Sequence, residues 1–81
     1  MDRETVWVEV KKNIAEVLPS VNVDEIKPGD RLVELGANSV DRVEIITLTL
    51  EGLNLHVRAH ELAGVENIGG LVELLHQKAL E

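Results

Sequence analysis

Apolar residues return at helical spacing three times along this chain, and residues that start or stop helices bound each stretch. Across "RETVWVEVKKNIAEVL", residues 3–18, Val6, Val10, Ile14, Val17 and Leu18 share a face, and Lys11, Lys12, Asn13 and Glu16 fall mostly elsewhere. Pro19 and Ser20 end that helix, because a residue before proline is disfavoured in the α region. In "SVDRVEIITLTLEG", residues 39–52, Val43, Ile46 and Leu50 continue to Leu53 as one stripe, with Ile45 and Leu48 on another side. Such a helix is apolar over much of its circumference and should pack centrally, leaving Glu44, Thr47 and Glu51 wet with Val40 close to them. Its β-branched content would permit a strand, but the spacing and the caps favour a helix. Asn38 is a good N-cap, Asp41 is a first-turn acid, and Gly52 or Asn54 supplies the stop. In "NIGGLVELLHQKA", residues 67–79, Asn67 caps and Ile68, Leu71, Val72 and Leu75 form the inner stripe. Gly69 and Gly70 lower helix propensity there and either permit close packing or only weaken the first turn.

The connections are unequal. Residues 20–37 show no clean period. "KPGD" is a turn, since Pro28 presets φ and Gly29 permits positive φ. "VNVDEI" allows a short strand, but its charges and the following turn favour a long structured loop, pinned to the core by Val21, Val23, Ile26, Leu32, Val33 and Leu35. "RAHELA", residues 58–63, is a short helical turn before Gly64. The expectation is an all-α protein: a small four-helix bundle of three main helices and one short one, with a long first loop. Residues 1–81 read as a single domain, with the final Leu80–Glu81 resembling a cloning remnant.

Composition excludes several functions. With no cysteine there is neither a disulfide framework nor a thiolate metal site. Eight basic against 15 acidic residues give a net charge of −7, which opposes binding to nucleic acid and to anionic lipid. An acidic surface favours solubility and basic partners. No stretch has signal-peptide layout or the length to span a membrane, so the reading is a soluble cytoplasmic protein.

Ser39 is the residue whose purpose is open. As a hydrolase nucleophile it lacks the G-x-S-x-G elbow, since the local run is G-A-N-S-V, and no histidine is pointed at it by sequence. A metal site built on His56 and His60, four apart with Glu61 adjacent, lacks a third well-spaced ligand. As a helix cap Ser39 is redundant with Asn38. A helix N-terminus also favours phosphate, so the position suits a serine that becomes phosphodiester-linked. The residues alone leave cap and attachment point both open.

"ELGANSVDRVEIITLTLE" resembles the prosthetic-group site of an acyl carrier protein, a family that carries L-G-x-D-S-[LV] at the start of its second helix. The similarity extends over nearly the whole chain. Gly36, Ser39 and Val40 match directly, and Asn38 replaces the usual Asp, removing a charge beside the serine. The resemblance implies that Ser39 receives 4′-phosphopantetheine from coenzyme A through a phosphopantetheinyl transferase. It also implies that Asn38, Val40, Asp41, Arg42, Val43, Glu44, Thr47 and Glu51 form the surface read by partner enzymes. Such a protein is a monomer and a cosubstrate, with no catalytic residue and no metal of its own.

"NSVDRVEI" followed by "ELAGVENIGGLVELL" is similar to free-standing donor carriers of polyketide β-branching cassettes in antibiotic biosynthesis. That resemblance implies loading with malonyl by an acyltransferase and conversion to acetyl by a decarboxylating ketosynthase-like protein. The acetyl carbon then goes to a β-ketone through a 3-hydroxy-3-methylglutaryl-synthase-like enzyme. A short acyl group implies no large apolar tunnel in the bundle. The competing readings are a general fatty-acid, polyketide or peptidyl carrier, and a plain helical interaction module in which Ser39 is only a cap.

Overall fold

The computed structural model describes all 81 residues, and its main helices are α1 (Arg3–Val17), α2 (Ser39–Leu53), α3 (Ala59–Leu62) and α4 (Ile68–Ala79). The long first connection is neither strand nor open coil. It holds 3₁₀ turns at Val23–Glu25 and Leu32–Leu35, so the four-helix architecture stands and the strand reading of "VNVDEI" falls. Short 3₁₀ turns close local hydrogen bonds in a segment too irregular to continue as an α-helix.

α1 begins at Asp2, whose carboxylate accepts from the Thr5 amide at 2.8 Å and from its hydroxyl at 2.6 Å. It ends before Pro19 with the Leu18 amide closing on the Ile14 carbonyl at 2.7 Å. α1 packs against both α2 and α4, and their facing aliphatic side chains, among them Val6, Val10, Ile14, Ile45 and Leu75, are fully buried. Burying side chains of this kind contributes roughly 1.5–3 kcal/mol each.

α2 departs from its expected stripe. Its buried residues are Ile45, Thr49 and Leu53, while Ile46 and Leu50 are half-buried. Val43, expected inside, is 64% exposed. Thr49 takes the central place because its hydroxyl has internal partners: it donates to the Ile45 carbonyl at 2.7 Å and accepts from Asn13 Nδ2 at 3.0 Å. Asn13, expected on the polar side of α1, is therefore buried, with further bonds to the Glu9 carbonyl and carboxylate. Satisfied polar groups are tolerated inside, and this pair fixes α1 against α2. The helix stops at Asn54, which adopts φ 55° as a left-handed cap, and Gly52 lies inside it.

The first loop is tied to the start of α4. Gly69 donates to the Pro28 carbonyl at 2.8 Å and Ile68 to the Asp30 carbonyl at 2.9 Å, so two first-turn amides of α4 are satisfied by the "KPGD" turn. A Cβ on Gly69 would lie 2.8 Å from Pro28 Cβ and 2.9 Å from its carbonyl oxygen; close packing is the reason for that glycine. Ile26 is buried, and Val21, Val23, Leu32 and Leu35 pack against the core. Val33, expected to help pin the loop, is instead half exposed at 50%.

Candidate functional site

The local sequence builds the start of α2 in steps. Gly36 takes φ 98°, a conformation that strains any residue with a side chain. That turn lets the Ala37 amide reach the Leu32 carbonyl at 3.1 Å and buries the Ala37 methyl. Asn38 then caps reciprocally with Asp41: Asn38 Oδ1 accepts from the Asp41 amide at 2.8 Å, and Asp41 Oδ2 accepts from the Asn38 amide at 3.2 Å. Asn38 fills the capping role, which leaves Ser39 as the first residue of the helix with an exposed side chain.

Two features make this hydroxyl unusual. The backbone amides of Ser39 and Val40 have no acceptor in the chain, as the first amides of a helix do unless a side chain reaches them. The only side chain bonded to Ser39 is Arg42, whose Nη2 lies 3.5 Å from Oγ while Nη1 donates to the Ala37 carbonyl at 3.0 Å. Free amides, the positive helix end and a guanidinium together favour a phosphate ester on this oxygen. No histidine lines either surface concavity that Ser39 shares, and the only side chain bonded to the hydroxyl is the cationic Arg42, which is not a base.

Two concavities meet at Ser39 and share Val43 as well. One is an apolar groove of about 550 Å³ between α2, α3 and the first loop, where Leu32, Val33, Ile46, Leu62 and Val65 meet Ser39 and Arg42. It opens at the surface; the buried Ile68 and Leu71 of α4 line it, while Val10, Ile14 and Ile45 form no part of its lining. The other is a shallow patch of about 440 Å³ that joins Ser39 to Val40, Val43, Glu44, Thr47 and Leu48. Val40 is 72% exposed there, an apolar side chain held in water with nothing of this chain over it.

The structure thus gathers Ser39, Val40, Val43, Glu44 and Thr47 on one surface. Asn38 and Asp41 are engaged with each other's backbone, and Arg42 turns back toward the serine. Glu51 lies further along: it lines a broad cleft with Asn54, His56, Arg58 and His60 toward the other end of α2, and Thr47 borders both that cleft and the patch. Sequence reasoning missed the groove residues Leu62 and Val65 and the bond from Arg42. The spacing of Arg42, three residues after Ser39, is the signal that would have found the last.

The histidines build nothing further. His56 and His60 are exposed, Glu61 pairs with Lys78, and no group of three potential ligands is close enough to hold a metal ion. No helix is long and apolar enough to cross a membrane.

Residues 8–75 match the family model described as "Phosphopantetheine attachment site". The chain is 50% identical over 78 residues to the polyketide biosynthesis acyl-carrier-protein AcpK of Bacillus subtilis (strain 168), covering 96% of this chain and 95% of that protein. It is 29% identical over 76 residues to an acyl carrier protein of Saccharopolyspora erythraea, covering 91% and 78% of the two chains. Among solved structures it superposes with a TM-score of 0.86 and 40% identity on a chain in the crystal structure of the Curacin biosynthetic pathway HMG synthase in complex with acetyl donor-ACP. That match covers 96% of this chain and all of the other. With a family model over most of its length and a carrier relative at 50% identity, the chain belongs to the phosphopantetheine-binding acyl carrier proteins, which are not enzymes but carry the group covalently.

Proposed function

We propose that Ser39 is the attachment residue and that the chain is the acetyl donor of a polyketide β-branching cassette. The observation that carries the first part is the exposed Ser39 hydroxyl at the capped start of α2, within reach of the Arg42 guanidinium. The second part is supported by the likeness to a chain described as an acetyl donor-ACP complexed with an HMG synthase, and to a polyketide carrier.

The attached 4′-phosphopantetheine supplies a terminal thiol that holds the acyl group as a thioester, malonyl first and acetyl after decarboxylation. The protein's own part is to anchor and present. The Asn38–Asp41 box fixes the helix start, so Ser39 sits at a defined point on a rigid element. Val40, Val43, Glu44 and Thr47 offer a small surface, apolar in the middle and acidic at its edge. A contact of this size suits brief docking, which a carrier needs because it must leave each partner. The partners in turn are a phosphopantetheinyl transferase, an acyltransferase, a decarboxylating ketosynthase-like protein and a 3-hydroxy-3-methylglutaryl-synthase-like enzyme. The protein acts as a cytoplasmic monomer, where coenzyme A and those enzymes are found.

The test is to load the arm separately with acetyl, malonyl and octanoyl groups. Each form is offered to a 3-hydroxy-3-methylglutaryl-synthase-like enzyme together with an acceptor carrier bearing a β-ketone. The donor reading expects product from the acetyl form only. Failure of the acetyl form, with efficient use of the octanoyl form by fatty-acid enzymes, would make this a general carrier instead.

A further inference from the structure

The charge around Ser39 is distributed unevenly. This is an acidic chain, yet Arg42 has no carboxylate partner: the four ion pairs of the protein use Arg3, Lys12 and Lys78. The acid beside it, Asp41, is turned to the Asn38 amide, and the residue before the serine is the neutral Asn38. The guanidinium is instead held over the start of α2 by the Ala37 carbonyl, with its second nitrogen at the serine oxygen. Of the two concavities that meet at Ser39, the apolar groove includes the cations Arg42 and Arg31 against one acid, Glu66, whereas the shallow patch includes Glu44 and no cation.

We propose that Arg42 is a positioning residue for the carrier arm: its guanidinium pairs with the phosphodiester on Ser39 and holds the root of the arm on the groove side of α2. This rests on Ser39 being the attachment residue. Esterification places the non-bridging phosphate oxygens within a bond or two of Oγ, where Nη2 already is, and each can accept a charge-assisted hydrogen bond. A planar guanidinium can keep its bond to the Ala37 carbonyl through one nitrogen and serve the phosphate through the other. Glu44 acts in the same direction by repelling the phosphate from the patch. The patch with Val40 then stays clear for a docking enzyme while the arm rests over Leu62 and Val65. Because the pair is exposed, its effect is a preference and not a lock, about a two- to fivefold bias between the two sides.

The experiment uses the holo protein, with loading verified by intact mass, as wild type, Arg42→Gln and Arg42→Lys. Side-chain ¹H–¹⁵N spectra before and after loading should shift the Arg42 Nε–H resonance and leave those of Arg3 and Arg58 in place. A spin label on the terminal thiol should broaden Leu62 and Val65 about two- to fivefold more than Thr47 and Leu48. That ratio should fall toward one in Arg42→Gln, stay high in Arg42→Lys, and fall in the wild type near 1 M salt, where screening acts within about 3 Å. A merely structural Arg42 would alter apo and holo forms alike and leave the ratio unchanged. An Arg42 signal unmoved by loading, or a ratio that survives Arg42→Gln, overturns the proposal. No mass gain, or a gain that persists in Ser39→Ala, overturns instead the assignment of Ser39 and the proposal with it.

Discussion

Replacing glycine by alanine inside a helix usually stabilises it, by up to about 1 kcal/mol. Gly69→Ala should do the opposite. The added methyl would meet Pro28 Cβ at 2.8 Å, its carbonyl oxygen at 2.9 Å and its Cα at 3.2 Å, and two of these three atoms are backbone. The α4 start and the "KPGD" turn must separate, which stretches the 2.8 Å bond from Gly69 and the 2.9 Å bond from Ile68. Overpacking of this kind costs about 1–3 kcal/mol, and a weakened hydrogen bond about 0.5–1.5 kcal/mol. Set against the propensity gain, the net loss is about 1–3 kcal/mol, or a fall in Tm of at least about 4 °C for a domain of this size. Gly52→Ala is the matched control. Its methyl would approach Glu9 as closely, 2.6 Å from the carboxyl carbon, but that group is the end of a flexible side chain that can swing away at the cost of its 2.8 Å bond from Asn13, which keeps Thr49 and the Glu9 carbonyl as partners. With the propensity gain set against that one bond, Gly52→Ala should lie within about 1 kcal/mol of wild type and lose less than Gly69→Ala. Urea denaturation of both variants, with unchanged slopes, reads the difference. A Gly69→Ala protein as stable as wild type, or an equal loss in both, would refute the packing argument.

Other consequences follow from the same contacts. Asn38→Ala should cost about 1 kcal/mol through loss of the cap, whereas Ser39→Ala should stay within about 0.5 kcal/mol in chemical denaturation, because the serine holds nothing together. Asn13→Ala and Thr49→Val should each destabilise by about 1–2 kcal/mol, and the double variant by less than their sum, since they share one buried bond at 3.0 Å. Glu61 and Glu73 have carboxyl pKa values lowered first by hydrogen bonds from Lys78 and Arg3. A depressed folded pKa contributes stability above the unfolded value near 4.3 that is lost as pH falls through the folded value, so the acid limb of a Tm–pH profile should flatten in Glu61→Gln. Lys78, raised by Glu61, works at the other end: its contribution is present below about 10.4 and lost as pH rises past its folded value. Val40→Glu should slow transfer to a partner enzyme about five- to tenfold without lowering Tm, measured by stopped transfer assays and thermal melts.

Much of this protein was legible in its sequence because the signals are local. Asn38 with Asp41, Asn67, Pro19 and the helical periods place α1, α2 and α4 almost to the residue, and they put Ser39 at a helix start. The errors lie where an answer depends on distant residues. α2 is apolar around so much of its girth that its period does not choose a face, and the Thr49–Asn13 bond chose one that leaves Val43 in water. Val33 faces out for a related reason: its 3₁₀ turn directs Leu32 and Leu35 inward, and nothing in the local pattern announces that turn. Gly69 carried two readings until Pro28 stood beside it. The site divides the same way. Its exposed serine was readable, but the groove needs Leu62 of α3 and Val65 of the turn after it brought to α2.

The central claim is that Ser39 bears the prosthetic group. Purified protein, incubated with coenzyme A and a broad-specificity phosphopantetheinyl transferase, should gain the mass of one phosphopantetheine, and Ser39→Ala, folded equally well, should gain none. No gain in folded wild-type protein, or an equal gain in the variant, would contradict the account.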